Sequence, residues 1–226
     1  MPENNSRKTG AEIIEVGRRM WIKGWVASND GNISIRLKGG GFLATATGVS
    51  KGFLTPAMLV RLDRNGRPAP GRNRHRPSSE IRMHLEVYRR RPDIGAVVHG
   101  HPPYATAFAV AGIPLDRNIL PEAVLTLGAV EVAPYGTPST DEIPDAIAPL
   151  IECSDVVLLA NHGALAFGAD LLTAYHRMET LEHTATITHL AMGLGRVKTI
   201  PKAQMKKLME LREKLGIQGR VKIKSS

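Results

Sequence analysis

The sequence contains a single cysteine, Cys153, in 226 residues. One cysteine excludes an internal disulfide framework and any zinc module built from several thiolates. If the protein holds a metal, histidine and carboxylate side chains must supply the ligands. This cysteine content is what a reducing compartment allows, and we expect a cytoplasmic protein.

Long apolar runs and aromatic residues are also scarce. No apolar run approaches the roughly eighteen residues that a membrane-spanning helix needs. The polar start of the chain, from Met1 to Ser6, has no apolar segment behind it that would indicate a signal peptide. The sequence therefore favours a soluble protein without a membrane partner.

Acidic residues are outnumbered by basic ones, and the formal net charge is +9. The basic residues gather in three places, at 64–76, 89–91 and 202–224. Phe, Trp and Tyr make up only 4% of the chain, so few rings are available to stack on bases, and we expect no nucleic-acid partner. A solvated surface is the favoured interpretation of these charges, and attraction of an anionic substrate is the alternative.

The pattern of apolar residues predicts alternating helices and strands without repeats or linkers, which indicates one α/β domain. A short helical turn and strand are expected from residue 56 onward, and the segment up to 76 is expected to be a loop. The predicted helices span 12–23, about 80–90, 103–110, 141–151, 169–192 and 202–214. The predicted strands span 33–37, 42–46, 96–98, 128–132 and 156–160.

Two apolar runs end in histidine. Val97-Val98 leads into His99 and His101, and Leu158-Leu159 leads to His162. Strand side chains alternate with a period of two, so His99 and His101 project from the same face of an extended chain. With His162 they would form the three-ligand site with an open position that is typical of catalytic zinc. A structural role for these histidines is the alternative.

Glu80 is the candidate carboxylate of such a site. It lies in Pro77-Ser78-Ser79-Glu80, which predicts the start of a helix with a serine at its N-cap. The free N–H groups and the dipole of a helix start favour an anion nearby. Beside a metal, Glu80 could be a ligand in the absence of substrate and a proton acceptor in its presence. The alternative is that Ser-Ser-Glu only starts the helix.

The histidine segments belong to a longer series of short motifs. In chain order these are Gly31-Asn32-Ile33-Ser34, Thr47-Gly48, Pro77-Ser78-Ser79-Glu80, Val97-Val98-His99-Gly100-His101 and Asn161-His162-Gly163. Their order and spacing resemble those of the class II aldolase/adducin family, and most of all its fuculose-1-phosphate aldolase branch. The resemblance covers about residues 10–195. It implies a single class II aldolase-like domain across 1–226, with a basic helical C-terminal tail at 201–226.

The resemblance implies a three-layer α/β/α fold around a central, mainly antiparallel sheet, assembled as a homotetramer with active sites between subunits. It assigns Glu80 as catalytic carboxylate. The implied zinc ligands are His99, His101, His162 and Glu80. The implied pocket for the substrate phosphate consists of Gly31, Asn32, Thr47, Gly48, Ser78 and Ser79.

The implied activity is that of a zinc-dependent aldolase, which cleaves a ketose 1-phosphate of the L-fuculose 1-phosphate type into dihydroxyacetone phosphate and an aldehyde through a metal-bound enediolate. The same ligands would also suit cobalt or manganese. Other family activities are alternatives, namely a pyruvate-type aldolase and a sugar-phosphate epimerase, dehydratase or decarboxylase. The epimerase branch has Asp in place of Glu80. A non-catalytic module like the adducin head is disfavoured because all three histidines and Glu80 are present.

The chain departs from the fuculose-phosphate branch on the aldehyde side of the site. That branch carries one tyrosine in the loop after its Ile-Pro and another near its C-terminus. Here the loop, residues 116–122, has no tyrosine, and none follows Tyr175. Tyr104 and Glu122 are candidate substitutes, although Tyr104 could equally be a packing residue.

Overall fold

A seven-stranded sheet runs through the computed structural model, which describes residues 2–70 and 74–223, with side chains from residue 8 onward. The strand order is β3-β2-β1-β4-β7-β6-β5, and every pairing is antiparallel except that of β5 with β6. The strands are β1 (Asn32–Arg36), β2 (Phe42–Thr45), β3 (Leu59–Leu62), β4 (Ala96–Gly100), β5 (Val132–Ala133), β6 (Val156–Leu159) and β7 (Gly163–Gly168).

Helices cover both faces of this sheet. They are α1 (Pro2–Ile22), α2 (Ile81–Arg90), α3 (Pro103–Ala111), α4 (Pro121–Thr126), α5 (Glu142–Ile147), α6 (Leu171–Gly193) and α7 (Lys202–Lys214). No helix within the described ranges has the length and apolarity needed to cross a membrane.

The alternation of side chains along the central strands creates two hydrophobic cores. Val97 of β4 points into a core shared with α2 and α5, whereas its neighbour Val98 points into a core shared with α1, α3 and α6. Both residues are fully buried. The predicted three-layer α/β/α fold with a mainly antiparallel sheet is therefore confirmed.

Strand register brings the functional motifs to one end of the sheet. Asn32 at the start of β1 lies opposite His99 near the end of β4. On the other side of β4, His99 lies opposite Leu165 of β7. The turn between β6 and β7 carries His162, so motifs that are far apart in sequence meet at this end.

Some sequence-based assignments were incomplete or wrong. Strand β7, which lies between β4 and β6, was not predicted, because all six of its residues are buried and it lacks the polar alternation of a half-exposed strand. The predicted strand at 128–132 consists of two isolated bridges, from Gly128 to Lys222 and from Val130 to Leu115, followed by the two-residue β5. Helix α4 was missed, and the predicted helix at 141–151 is the shorter α5. Residues 71–73 of the predicted loop lie outside the described ranges.

The C-terminal segment packs back onto the domain. Met205 of α7 is buried, and Nε of Arg212 donates a 2.9 Å hydrogen bond to the carbonyl of Leu125 beside α4. The helix ends at Lys214, so the expected helical tail is helical only in its first part, and residues 224–226 lie outside the described ranges. The assignment of 1–226 to a single domain stays a prediction.

Candidate active site

Three imidazole rings converge at the end of the sheet where β1 and β4 meet. His99 lies in β4, His101 follows that strand directly, and His162 lies in the turn before β7. One ring nitrogen from each lies within 4.8 Å of the other two. Nε2 of His99 and Nε2 of His101 are 3.3 Å apart. The structure thus brings together the three histidines that the sequence selected.

Neighbouring groups fix the direction in which the rings point. Nδ1 of His99 lies 2.9 Å from the carbonyl oxygen of Ala164, and this hydrogen bond leaves Nε2 directed at the other rings. Nδ1 of His101 lies 3.4 Å from Oδ2 of Asp30. A carbonyl or carboxylate behind a histidine is the usual arrangement around metal-binding imidazoles.

The environment keeps the rings in the form that binds metals. Burial lowers the pKa of His99 to about 3, and burial also lowers the pKa of His101. Both rings are therefore neutral at pH 7 and carry a lone pair. Nδ1 of His162 is buried and has no hydrogen-bond partner among the described residues. Three imidazoles beside a carboxylate are a donor set that fits a divalent cation such as zinc.

Glu80 provides that carboxylate. Its Oε1 lies 3.0 Å from Nε2 of His162, and its Oε2 lies 3.5 Å from Nε2 of His99. Burial alone would raise the pKa of Glu80, but the neighbouring His99 and His162 and the amide of Asn32 outweigh it and lower the pKa below the ordinary value. Glu80 is therefore ionised at neutral pH and is a proton acceptor rather than a donor.

The start of α2 differs from the sequence-based expectation. The N-cap residue is Glu80 itself rather than a serine, and its side chain makes no capping hydrogen bond. Ser78 accepts a hydrogen bond at Oγ from the backbone N–H of Glu80, with a length of 3.3 Å. Because the carboxylate does not cap its own helix, it is free to turn toward the imidazoles.

A buried polar chain lies on the face of the sheet beneath Glu80. Oγ of Ser34 lies 2.7 Å from Nδ1 of His84 and 2.9 Å from the hydroxyl of Tyr88. His84 lies one turn after Glu80 in α2, and burial lowers its pKa to about 3. These contacts join α2 to β1 directly behind the end of the helix that carries Glu80.

A cavity of about 220 Å³ opens next to Glu80, His101 and His162. Five of the six residues predicted to bind phosphate lie on its wall, namely Gly31, Thr47, Gly48, Ser78 and Ser79. The sixth, Asn32, is buried and donates a 2.7 Å hydrogen bond from Nδ2 to Oε2 of Glu80. In this arrangement the amide of Asn32 holds the carboxylate.

Glycine is required at one of these wall positions. Gly31 has a φ of +71°, and a Cβ there would lie 2.5 Å from Cγ1 of Val26 and 2.8 Å from the carbonyl oxygen of His99. Any other residue would be strained and would push against the strand that carries the histidine. The turn at Gly31 is therefore fixed by its contact with the metal-ligand candidates.

The sequence reasoning missed six further wall residues. They are Asn29, Asp30, Ala46, Lys51, Pro138 and Ser139, of which Asp30, Lys51 and Ser139 bring a charge or a hydroxyl group. Asp30 directly precedes the Gly31 motif and Lys51 follows Gly48 by three positions, so their proximity to the motifs was a signal that could have been used. Ser139 reaches the site through a 2.7 Å hydrogen bond to Ser79, which only the folded structure reveals.

The two proposed substitutes for the missing tyrosines lie elsewhere in the chain. The backbone N–H of Tyr104 donates a 3.0 Å hydrogen bond to Glu182, and its ring packs against His189 with the ring centroids 5.4 Å apart. Glu122 is exposed at the start of α4. Neither is among the described residues that line the cavity, and their roles stay predictions.

Comparisons with known proteins agree on one family. The family model for the class II aldolase and adducin N-terminal domain matches residues 11–189. A solved structure of an L-fuculose 1-phosphate aldolase superposes with a TM-score of 0.84 at 30% identity, over 91% of this chain and 96% of that one.

Relatives of similar identity differ in activity. The L-fuculose phosphate aldolase of Methanococcus maripaludis is 33% identical over 81% of this chain and 97% of its own length. The 3-oxo-tetronate 4-phosphate decarboxylase of Haemophilus influenzae is also 33% identical, over 80% of this chain and 87% of its length. The 5-deoxy-D-ribulose 1-phosphate aldolase of Bacillus thuringiensis is 33% identical over 94% of this chain and 99% of its length.

Proposed function

The chain belongs to the class II aldolase and adducin family, and on that premise we propose that it is an aldolase that cleaves a ketose 1-phosphate of the L-fuculose 1-phosphate type into dihydroxyacetone phosphate and an aldehyde. One observation carries the proposal. The carboxylate of Glu80 lies against His99 and His162 at the wall of a cavity that is otherwise lined mainly by glycine and hydroxyl groups. This combination suits an anionic substrate whose carbon beside a carbonyl must gain or lose a proton.

His99, His101, His162 and Glu80 would hold a divalent cation, and zinc is our first choice because imidazole suits it well. A cation bound by these residues would act as a Lewis acid on a substrate carbonyl. The neutral state of His99 and His101 and the convergence of one nitrogen from each of the three rings support this assignment.

Glu80 is the residue that moves the proton. In the direction of condensation, its carboxylate accepts the proton from the carbon beside the carbonyl of dihydroxyacetone phosphate. In the direction of cleavage the substrate hydroxyl beside the breaking C–C bond loses its proton as the aldehyde forms, and Glu80, once it has been protonated, returns a proton to the same carbon. Asn32 keeps one carboxylate oxygen in a fixed position, so the group need not search for its orientation during the reaction.

The substrate phosphate would lie between the two glycine turns and the start of α2. Gly31, Gly48 and the hydroxyl of Thr47 leave room for it, because none places a bulky side chain on the wall. Ser78 and Ser79 precede the first turn of α2, where the dipole of the helix favours an anion. We infer that this side of the cavity binds the phosphate.

Decarboxylation of a 3-oxo-tetronate 4-phosphate is the second candidate. It has specific support, since a relative with that name is as similar in identity as the aldolases. Two observations favour the aldolase. The match to 5-deoxy-D-ribulose 1-phosphate aldolase extends over 94% of the chain, and a solved L-fuculose 1-phosphate aldolase covers 91%.

We also propose a cytoplasmic homotetramer, as the family resemblance implies. A neighbouring subunit would then supply groups on the aldehyde side of the site, where this chain lacks the two tyrosines. Sedimentation equilibrium of the purified protein tests the assembly. A monomer at all concentrations would contradict it.

The experiment that decides the function is a substrate panel on purified protein with its metal content measured. The panel contains L-fuculose 1-phosphate, 5-deoxy-D-ribulose 1-phosphate, 3-oxo-tetronate 4-phosphate, and pyruvate with an aldehyde. We expect dihydroxyacetone phosphate to be released from a ketose 1-phosphate. Release of carbon dioxide from the tetronate alone would establish the second candidate, and stoichiometric metal without turnover of any substrate would overturn both.

A further inference from the structure

Lys51 is a buried lysine on the wall of the cavity. It begins a short 3-10 turn, Lys51–Phe53, three residues after Gly48, and only 2% of its surface is exposed. Lysines are almost never buried to this extent unless their charge is compensated. Burial lowers the pKa of Lys51 to about 8, against the opposing effect of Asp30 and Glu80. Burying a charged lysine costs free energy, so a functional role for the side chain is expected.

The ammonium group ties together the two loops that carry the glycine turns. Nζ donates one hydrogen bond of 2.7 Å to the carbonyl of Asn29, two residues before Gly31, and another of 2.6 Å to the carbonyl of Val49, directly after Gly48. Both glycines have a φ of +71° and both line the cavity. Lys51 therefore sets the spacing between the two turns.

An ammonium group has three N–H donors, and these two carbonyls use two of them. Neither carbonyl carries a full charge. Asp30 and Glu80 act on the charge of Lys51 through space, but among the described residues no carboxylate accepts a hydrogen bond from Nζ, so one N–H donor is left for an anion that enters between the turns.

The other charges on the cavity wall show why the ammonium group of Lys51 is needed for binding an anion. Asp30 and Glu80 contribute two carboxylates, while the neighbouring imidazole of His101 is neutral at pH 7. Among the described residues that line the cavity, Lys51 alone has an ammonium or guanidinium group. With Glu80 binding the proposed divalent cation, Asp30 and Lys51 are the charged side chains left on the described wall of the cavity, and without Lys51 a phosphate dianion would face the carboxylate of Asp30.

We propose that Lys51 is the residue that selects phosphorylated substrates, by supplying the fixed positive charge of the phosphate pocket and holding its two glycine turns in register. The inference rests on the proposed function, because it identifies the group that recognises the phosphate monoester of that substrate. It adds a positively charged side chain to a pocket for which the family resemblance implied only glycine, asparagine and hydroxyl residues.

The test compares Lys51→Met with Lys38→Met, which removes a positive charge from an exposed lysine away from the cavity. Binding of inorganic phosphate to the full-length protein is measured by titration calorimetry, together with metal content and circular dichroism. We expect Lys51→Met to weaken phosphate binding by about tenfold or more, with metal content unchanged, and Lys38→Met to bind like the original protein. Equal phosphate affinity in both variants would overturn the inference.

A measurement on the unmutated protein covers the case in which Lys51→Met does not fold. With lysine labelled at the side-chain carbon next to Nζ, the Lys51 signal, assigned with Lys51→Arg, is followed during a phosphate titration by NMR. A saturable shift of this signal supports the inference, and an unchanged signal at saturating phosphate overturns it.

Kinetics separate selection of phosphate from a merely structural role. For Lys51→Met, KM for the active ketose phosphate is expected to rise while KM for the corresponding unphosphorylated ketose is unchanged. Equal effects on both substrates would reduce Lys51 to a packing residue. Phosphate binding is measured without turnover. Its result can therefore be interpreted even if the protein proves not to be an aldolase.

Discussion

The side-chain amide of Asn32 donates a 2.7 Å hydrogen bond to Oε2 of Glu80. The family resemblance assigns Asn32 to the phosphate pocket, but in the structure its donor is directed at the carboxylate that would move the proton. Asn32 lies in β1 and Glu80 at the start of α2, so this contact links the sheet to the reactive end of the helix. It predicts that Asn32 acts on the chemical step more than on phosphate binding.

Replacing Asn32 by alanine tests whether its amide acts on the chemical step or on phosphate binding. Hydrogen bonds to charged groups contribute about 1.5–3 kcal/mol, and loss of this one should lower kcat by about 10–100-fold. The Kd for inorganic phosphate should stay the same, because the phosphate wall is built from other residues. Steady-state kinetics and titration calorimetry give the two values. Weakened phosphate binding with an unchanged kcat would instead return Asn32 to the phosphate pocket.

A second prediction separates the roles of the metal ligands and the base. We expect His101→Ala to lose most of its bound metal, because only two imidazoles and a carboxylate remain. Glu80→Gln should keep its metal and lose turnover, because an amide cannot accept the proton. Metal analysis after dialysis and kinetic assays distinguish the two.

His183→Ala is the matched control, since His183 is exposed on α6. It should retain both metal and activity. Full activity in Glu80→Gln would show that Glu80 only starts the helix, and full metal content in His101→Ala would remove that residue from the ligand set.

The convergence of the histidines could be predicted from the sequence because strand geometry is regular. His99 and His101 are separated by one residue at the end of an apolar run, and alternation puts them on one face. The position of His162 depended on recognising the second run that ends in histidine. For these three histidines, the alternation of strand side chains and the recurrence of an apolar run ending in histidine were sufficient to predict that they meet.

The wall of the cavity could not be predicted in the same way. Lys51 looks like a surface lysine in the sequence, and only the folded loops bury it against Asn29 and Val49. Ser139 reaches Ser79 from a segment 60 residues away. Strand β7 was hidden because a strand that is buried on both faces has no alternation to detect. These features depend on tertiary packing, which the residue pattern does not encode locally.

The third prediction concerns Asp155, which binds the C-terminal segment to the domain. Its carboxylate accepts hydrogen bonds from Arg91 at 2.7 Å and from the backbone N–H of Arg220 at 2.9 Å, and it forms an ion pair with Arg177 at 2.8 Å. Arg91 is fully buried and Asp155 is 1% exposed. Asp155→Ala would leave the buried guanidinium of Arg177 without its paired carboxylate, whereas Arg91 would keep Asp93. We therefore expect the free energy of unfolding to fall by about 3–5 kcal/mol.

Urea unfolding measures this change, with Glu210→Ala as the control. Glu210 pairs with Lys206 across an exposed face at 3.9 Å, so its loss should change the free energy of unfolding by less than about 1 kcal/mol. Similar values for the two variants would show that the buried network adds nothing to stability.

The fourth prediction concerns pH. The pKa of Lys51 lies at about 8 in the folded protein and at its ordinary value of 10.5 in the unfolded chain, and the groups that act on it are Asp30 and Glu80. Below pH 8 the ammonium is charged and attracts an anion. As the pH rises through 8 it loses its proton, so the affinity for sulfate, an anion that does not titrate in this range, should fall.

The same shift fixes the sign of the effect on stability. Between pH 8 and 10.5 the unfolded chain keeps the proton of Lys51 while the folded protein has released it. The unfolded state then binds more protons, so the contribution of Lys51 to the free energy of unfolding rises with pH across this interval. In Lys51→Met both effects should disappear, whereas Lys38→Met should retain them. Sulfate titrations and urea unfolding at pH 7, 8 and 9 measure both. A sulfate affinity that falls equally in both variants would assign the titration to another group.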